Sequence, residues 1–251
     1  MKKAYVTILS SDGFVKGVIA LHKGLKRYSR EEFAVFTGPE VSEPVKEELR
    51  RNNINIIEVD EPSIDLSGVN DVQLRDRWIK TLFKLVVFKD YGYEKLVYLD
   101  SDLLIRGSLD ELFDKPAISA VSDRAFFPQF SRGGLNAGVM VIEPDEKLYE
   151  ALCKEIPKVA AKGTAFGDQD VINSYLSEWD SEAELHLDIA YNTCFYDCER
   201  VDNPKVVHFI LESKPWMWSR KDVLLKKIKW FVKGKRKQIK YLNEYLNLPE
   251  E

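Results

Sequence analysis

The sequence predicts an α/β domain whose mostly parallel central sheet is flanked by helices. Short apolar runs alternate along the chain with segments of helical periodicity, the order expected for parallel strands covered on both faces. Of the 251 residues, 45% are hydrophobic and 31% are charged, which is a globular composition, and no repeat is visible. We therefore expect one main domain with a sizeable core.

The first part of the chain shows this alternation. Strands are predicted at 3–8, 33–37 and 54–59, and helices at 14–28 and 45–51. Apolar residues recur at helical spacing in the first helix, and Ser42 and Pro44 form a start signal for the second. This pattern predicts repeated βα units.

A pair of acidic residues follows the next predicted strand. A polar loop at 60–71 leads to a helix expected at about 74–88, and the strand at 95–99 is followed directly by Asp100, Ser101 and Asp102. Ligands of open α/β sheets bind beyond the carboxyl ends of strands, so this is where chemistry is expected.

The remaining elements complete the domain. Strands are predicted at 118–121, 137–142 and 206–210, the last as the final core strand, and helices at 146–160 and 168–176. Beyond Trp218 the chain becomes basic and keeps a helical pattern over 221–246. We predict a main domain over 1–218 and a basic amphipathic helical appendage over 219–251.

Charge and cysteine content exclude several classes of protein. The net charge of -4, with the lysines gathered near the C-terminus, gives no overall footprint for nucleic acid. The N-terminal apolar stretch is too short for a signal peptide, and no transmembrane span is apparent. Three cysteines without a C-x-x-C pair predict neither a disulfide framework nor a structural zinc site. These features predict a cytoplasmic protein.

The Asp100-Ser101-Asp102 segment suits a divalent cation. Two carboxylates at a strand end both reach one ion, and hard cations take oxygen ligands while keeping positions open for phosphates. The Asp-x-Asp pattern also occurs in ordinary surface turns. Its position after an apolar strand favours the metal site.

Five segments together resemble a known family. They are VTILSSDGFVKGVIAL, YLDSDLLI, LNAGVMVI, FGDQDVIN and VVHFILESKPW, in this order. They are similar to the glycogenin-like retaining glycosyltransferases of family 8, and the likeness covers residues 3–218. It implies a GT-A fold and transfer of a hexosyl unit, glucose or galactose, from a UDP-sugar to a hydroxyl of a glycan, lipid-linked glycan or protein acceptor.

The resemblance assigns a metal site and a nucleotide site. Asp100, Asp102 and His208 would hold Mn²⁺, or Mg²⁺, although a lone histidine after an apolar strand is more often a core residue. The nucleotide and diphosphate would contact Ile8, Leu9, Ser10, Ser11, Phe14, Ser101, Leu211 and Lys214. Phe14 replaces a family tyrosine that stacks on the base, and Leu211 replaces a glycine beside the phosphates.

The resemblance also assigns the sugar site. Residues implied there are Arg75, Lys84, Asp123, Asn136, Ala137, Gly138, Asp168 and Gln169, with Asp168, Gln169 and Lys214 in catalytic roles. Simpler structural roles are a helix cap for Asp168, a tight turn for Gly138, a solvated side chain for Lys214 and a charged helix face around Arg77.

Alternatives for the reaction remain open. Same-face attack is favoured over a covalent intermediate on Asp168, because no glycosidase-like carboxylate pair is identifiable from spacing. A nucleotidyltransferase would carry a glycine-rich basic loop after its first strand, which this chain lacks. A non-catalytic sugar-nucleotide-binding protein, and self-modification at Tyr191 or Tyr196, are further alternatives.

The C-terminal segment at 220–246 has two interpretations. Basic residues opposite aromatic and aliphatic ones are typical of a helix in a membrane interface, which would place the protein at the inner face of the membrane. The same pattern fits a helix packed on the main domain or on a second subunit in a homodimer.

Overall fold

Seven strands form a central sheet and three form a smaller one. The computed structural model describes residues 2–60, 62, 80–129, 131, 133–162, 164, 166–210 and 213–249. Within these ranges the strands are β1 (Lys3–Leu9), β2 (Glu32–Thr37), β3 (Asn55–Glu58), β4 (Lys95–Leu99), β5 (Leu103–Ile105), β6 (Ala120–Ser122), β7 (Leu135–Ile142), β8 (His186–Leu187), β9 (Thr193–Cys194) and β10 (Val206–His208).

The central sheet is mostly parallel, as the sequence predicts. Its order is β3-β2-β1-β4-β7-β6-β8, and only β7 runs against its neighbours β4 and β6. The carboxyl ends of β1 and β4 therefore meet at one edge, where β4 is followed by Asp100.

The strand predicted at 206–210 is a buried strand, as expected for a core strand, and it lies in the smaller sheet. β10 ends at His208 and pairs antiparallel with β5 and parallel with β9. Asp102 directly precedes β5, and in the pairing of β10 with β5 His208 lies opposite Leu103. This pairing brings His208 beside the end of β4.

The apolar strands are buried on both faces of the sheet. In β4, Leu96 and Tyr98 pack in one core cluster while Val97 and Leu99 pack in another. A strand covered on both sides has no polar face, which explains the unbroken apolar run at 95–99.

Seven helices are described, and the helices predicted at 14–28, 45–51, 146–160 and 168–176 are confirmed by the first, second, fourth and fifth of them. They are α1 (Val15–Lys26), α2 (Glu43–Arg51), α3 (Asp123–Phe126), α4 (Glu146–Ala160), α5 (Asp168–Tyr175), α6 (Arg220–Val232) and α7 (Arg236–Leu246). Short 3-10 turns lie at Asp12–Phe14, Phe83–Phe88, Asp110–Asp114, Trp179–Ser181, Ala183–Leu185, Ile189–Tyr191, Phe195–Arg200 and Pro215–Met217.

The helix predicted at 74–88 lies partly outside the described residues, which resume at Lys80. The chain passes into a 3-10 turn at Phe83–Phe88, and all six of its side chains are buried. A charged outer face is therefore wrong for Lys84. Arg75 and Arg77 lie outside the described residues.

The basic C-terminal segment forms two helices rather than one. Gly234, at φ +69°, lies between α6 and α7. α7 buries Tyr241 and Tyr245 in a third cluster with Phe209, whereas α6 buries no side chain completely. Within the described part of the chain, no helix has the length and apolar character needed to cross a membrane.

Candidate active site

Asp100, Asp102 and His208 come together at the end of β4. One potential ligand atom from each lies within 4.8 Å of the others. His208 Nε2 is 3.6 Å from Asp100 Oδ2 and 3.2 Å from Asp102 Oδ1. Two carboxylates and one imidazole form a donor set suited to Mn²⁺. The residues predicted from the sequence thus form a possible divalent-cation site.

A chain of hydrogen bonds fixes the orientation of His208. Asn136 Nδ2 donates to the Asp123 carboxylate over 3.2 Å, and Asn192 Nδ2 donates to Asn136 Oδ1 over 2.7 Å. Asn192 Oδ1 is left as the acceptor for His208 Nδ1, 3.1 Å away. Because a carboxylate ends the chain, its polarity places a proton on Nδ1 and directs Nε2 at the two aspartates.

Gly138 gives His208 the space it occupies. A Cβ on Gly138 would lie 2.6 Å from His208 Cε1 and 2.7 Å from Nδ1. Gly138 is not among the glycines with positive φ. The requirement for glycine thus comes from the neighbouring imidazole, and the expectation that a tight turn alone demands it was wrong.

Lys84 joins three parts of the site from a buried position. Its Nζ lies 3.1 Å from Asp100 Oδ1 and 2.7 Å from Asp168 Oδ2, and it donates to the Ala137 carbonyl over 3.3 Å. Burial lowers the pKa of this ammonium, but Asp100 and Asp168 outweigh that effect and raise it above its usual range. Lys84 is therefore a fixed positive charge between the metal-site carboxylate and Asp168.

Tyr98 also contacts the metal-site carboxylate. Its hydroxyl donates to Asp100 Oδ1 over 2.6 Å. Burial and the charge of Asp100 raise the pKa of Tyr98 well above its usual value, so the hydroxyl stays protonated. Side chains two residues apart on a strand lie on the same side of the chain, as Tyr98 and Asp100 do. This spacing is visible in the sequence, but Tyr98 was not identified from it as a site residue.

Lys214 bonds directly to the carboxylate of Asp102. Its Nζ lies 2.6 Å from Asp102 Oδ2 and 3.2 Å from the Phe209 carbonyl oxygen. Burial raises the pKa of Asp102, but His208 and Lys214 outweigh it and hold that pKa well below its usual range. Lys214 is thus held by two hydrogen bonds, and the alternative of a freely solvated lysine was wrong.

Asp168 and Gln169 open α5 beside this cluster. The carboxylate of Asp170, rather than that of Asp168, accepts the Gly167 N–H over 2.8 Å, so the capping alternative for Asp168 was wrong. Gln169 Oε1 accepts the Ala137 N–H over 3.2 Å and its Nε2 donates to Asp123 over 3.2 Å. Both ends of the Gln169 amide are fixed.

A cleft of about 220 Å³ opens beside these residues. Its wall includes predicted donor-site residues, namely Ile8, Ser10, Phe14, Lys84, Asp100, Ser101, Asp102 and Asp168. Leu9 differs from Ile8, because its side chain is fully buried in the core and its carbonyl accepts from Gly38 N over 3.1 Å. Ser11 precedes the turn at Asp12–Phe14, with its carbonyl 3.4 Å from Phe14 N. Leu211 lies outside the described residues.

Comparison with known proteins identifies relatives along most of the chain. Residues 5–220 match Glycosyl transferase family 8. Glycogenin-1 of Oryctolagus cuniculus is 29% identical over 229 residues, covering 86% of this chain and 66% of its own length. Galactinol synthase 7 of Arabidopsis thaliana is 27% identical over 272 residues, covering 92% and 81%. This chain thus spans just under two thirds of the rabbit glycogenin.

Solved structures with the same fold are also glycosyltransferases. The galactosyltransferase LgtC, in complex with donor and acceptor sugar analogs, matches with a TM-score of 0.64 at 19% identity, covering 98% of each chain. The apo form of the glycosyltransferase GlyE of Streptococcus pneumoniae matches with a TM-score of 0.60 at 20% identity, covering 98% of this chain and 63% of its own. These neighbours have the GT-A fold. With a family match along residues 5–220 and this fold, the chain belongs to glycosyltransferase family 8.

Proposed function

We propose that this protein is a metal-dependent retaining glycosyltransferase that moves a hexosyl unit from a UDP-sugar to an acceptor hydroxyl. The observation that carries the proposal is the Asp100, Asp102 and His208 group at the wall of a cleft, in a chain of family 8. Family membership favours glycosyl transfer over the nucleotidyl transfer considered from the sequence.

The two aspartates and His208 would hold Mn²⁺, with Mg²⁺ as the alternative ion. A divalent cation in this position neutralises the diphosphate of the leaving nucleotide. The protein prepares the site by presenting the Nε2 lone pair of His208 through the hydrogen bonds from Asp123 to Asn192. Lys214, which is held against Asp102, would add a positive charge beside the diphosphate.

The cleft residues suit a nucleotide. Phe14 and Ile8 offer apolar surface for the uracil ring, and Ser10 offers a hydroxyl for the ribose. The names of the relatives include a galactinol synthase, and LgtC is a galactosyltransferase, whereas glycogenin is named for a glucose polymer. We accordingly propose glucose or galactose as the transferred hexose.

The arrangement around Asp168 favours same-face attack. The Lys84 ammonium lies 2.7 Å from Asp168 Oδ2, and this ion pair makes the carboxylate oxygen a weaker nucleophile. In the proposed reaction the bond from the anomeric carbon to the phosphate oxygen breaks and the acceptor oxygen bonds on the same face. The acceptor proton passes to the departing phosphate. Asp168 and Gln169 stabilise positive charge on the sugar.

A donor panel tests this function. We expect UDP release with Mn²⁺ and UDP-glucose or UDP-galactose, rising when an acceptor is added. GDP- and ADP-sugars should give background release, as should EDTA-treated protein. Release that does not depend on a divalent cation would contradict the metal-dependent reaction, and turnover of an ADP-sugar at the same rate would contradict the UDP preference.

We further propose that α6 contacts an anionic membrane surface, at the inner face of the membrane, where a lipid-linked glycan would be the acceptor. Its apolar residues Leu224, Leu225, Ile228, Phe231 and Val232 are between 53% and 79% exposed. On the other side of the helix, Trp230 packs against Phe195 with ring centroids 5.3 Å apart. The apolar residues that α6 leaves exposed therefore face away from the protein body.

Charge complements this exposed face. Residues 220–240 contain ten lysines and arginines and one acidic residue, Asp222, in a chain of net charge -4. Lysine and arginine beside an exposed apolar stripe are the composition of a helix lying in a membrane interface. A second copy of the chain is the other partner that this face would suit, and vesicle co-sedimentation with light scattering distinguishes the two.

A further inference from the structure

A second cavity lies between the carboxyl end of α1 and α7. Its volume is about 770 Å³, and none of its lining residues lines the active-site cleft. Four cations line it, Arg27, Arg106, Arg236 and Lys240, together with one carboxylate, Glu244. The formal charge of the lining is thus positive by three in a protein whose net charge is -4.

The Glu244 carboxylate already has cationic partners within the cavity. Its Oε2 accepts from Arg106 Nε over 2.6 Å, and Arg106 Nη1 also donates to the Pro204 carbonyl over 2.6 Å. Lys240 Nζ is 3.9 Å from Glu244 Oε1, a looser ion pair. Arg106 and Glu244 therefore hold α7 against β5, and most of the remaining positive charge is without a counterpart.

Arg27 and Arg236 carry that charge. Within the described residues, neither guanidinium forms an ion pair. Arg27 stacks 5.2 Å from the centroid of the Tyr28 ring, and Arg236 stacks 4.1 Å from that of Phe231. A stacked guanidinium is held by its face and keeps its in-plane N–H groups for a planar or tetrahedral oxyanion.

We propose that this cavity binds a phosphate ester. The planar N–H groups of a guanidinium match the geometry of phosphate oxygens, and Lys240 adds a point charge. The volume exceeds that of one phosphate, and the Asn243 and Asn247 amides in the wall can pair with hydroxyls. The ligand class is therefore a phosphorylated polyol or sugar. This binding goes beyond the transfer reaction and involves none of its residues.

The ligand has two possible sources with the same chemistry. Phe231 belongs to the exposed apolar face of α6 and stacks on Arg236, so the cavity adjoins that face. A lipid headgroup would reach the cavity from a membrane on which α6 lies. A soluble phosphate ester would reach it from water.

Calorimetric titration of the full chain with inositol 1,4,5-trisphosphate tests the proposal. EDTA is present throughout, so that the metal-dependent site does not contribute. The double variant Arg27→Gln/Arg236→Gln should bind about tenfold or more weakly, since it loses two charge-assisted contacts. The matched control Lys147→Gln/Lys162→Gln removes two exposed charges, one near each end of α4, and should bind as the parent does. Equal weakening in both variants, absence of binding by the parent, or competition by UDP would overturn the proposal.

A vesicle arm separates the sources. Phosphatidylcholine vesicles with and without phosphatidylinositol 4-phosphate are sedimented with the parent and with the cavity variant. Phosphoinositide-dependent pelleting that the cavity variant loses supports a lipid headgroup. Trisphosphate binding without such pelleting supports a soluble phosphate ester. Pelleting that both proteins show equally excludes the cavity as the headgroup site.

Discussion

Asn192 Oδ1 lies 3.1 Å from His208 Nδ1 and is fully buried beside it. The amide links the imidazole of the candidate metal site to Asn136 and Asp123, which the resemblance to family 8 assigns to the sugar site. The two parts of the site thus share one hydrogen-bonded chain. Movement of the Asn136 amide would be transmitted to the imidazole through Asn192, which bonds to both.

Replacing Asn192 should weaken metal binding through His208. Asn192→Ala removes the acceptor at Nδ1, and we expect Mn²⁺ affinity to fall about tenfold or more, as for other residues that orient metal ligands. Mn²⁺ titration followed by electron paramagnetic resonance measures this. In a double-mutant cycle, Asn192→Ala should add little to His208→Ala. Additive losses, or a lower melting temperature with unchanged Mn²⁺ affinity, would show a purely structural role.

A methyl group at Gly138 should have a similar effect by a different route. Gly138→Ala places its Cβ within 2.7 Å of the imidazole, so His208 must move. We expect lower Mn²⁺ affinity and a loss of about 1–3 kcal/mol in the free energy of unfolding, the usual cost of overpacking.

Gly13→Ala is the matched control, because a Cβ at Gly13 meets nothing within 4 Å. Urea unfolding and Mn²⁺ titration are compared for both variants. Unchanged Mn²⁺ affinity in Gly138→Ala would show that the imidazole is not held in place by β7.

Asp102→Asn should nearly abolish transfer and leave the protein folded. The change removes a charge at a strand end and keeps the shape of the side chain, so the loss falls on metal binding rather than on core packing. UDP release and circular dichroism on the same preparation measure the two effects. Asp12→Asn, at an exposed turn near the cleft, should keep its activity. Full metal-dependent activity in Asp102→Asn would refute the metal assignment.

The sequence predicted much of the site because its signals are local. Strand β4 is an unbroken apolar run and the two aspartates follow it directly, so their position at the sheet edge could be predicted from the sequence. His208 was found through its resemblance to a family motif, whereas Asn192 lies in a short segment without a periodic pattern. Its partner is 16 residues away and meets it only after β9 and β10 pair.

The second sheet could not be predicted, because it too depends on pairing between segments that are distant in the sequence. β10 has the apolar character of a core strand, and only its pairing with β5 shows that it lies outside the central sheet. By contrast, the break between α6 and α7 falls at Gly234. An isolated glycine in a helical pattern can mark the end of a helix, so the sequence contained a signal for this break.

UDP should stabilise the protein only together with a divalent cation. A ligand that binds the native state raises its stability by mass action, by about 2.7 kcal/mol at a concentration 100 times the dissociation constant. We expect the melting temperature to rise with UDP and Mn²⁺ and to change little with UDP and EDTA. Equal shifts with GDP or ADP would argue against a uracil-specific cleft, and an equal shift in EDTA would argue against a shared metal.

The exposed face of α6 should determine binding to anionic vesicles. Deleting the C-terminal segment is unsuitable as a test, because α7 contributes Tyr241 and Tyr245 to the core beside Phe209. The variant Leu225→Gln/Ile228→Gln instead removes two side chains that are more than half exposed. Each contributes about 1.5–3 kcal/mol when it enters an apolar phase, so binding should fall about tenfold or more.

Co-sedimentation at low salt compares phosphatidylglycerol vesicles with neutral phosphatidylcholine vesicles. Tyr175→Gln, which removes an exposed aromatic side chain elsewhere, should pellet as the parent does. Anionic attraction also predicts that pelleting falls as salt rises, because exposed charges are screened within about 10 Å at 0.1 M. If the parent stays in the supernatant with both vesicle types, the membrane proposal fails. A dimer seen by light scattering, and lost in Leu225→Gln/Ile228→Gln, would then assign the same apolar face to a second copy of the chain.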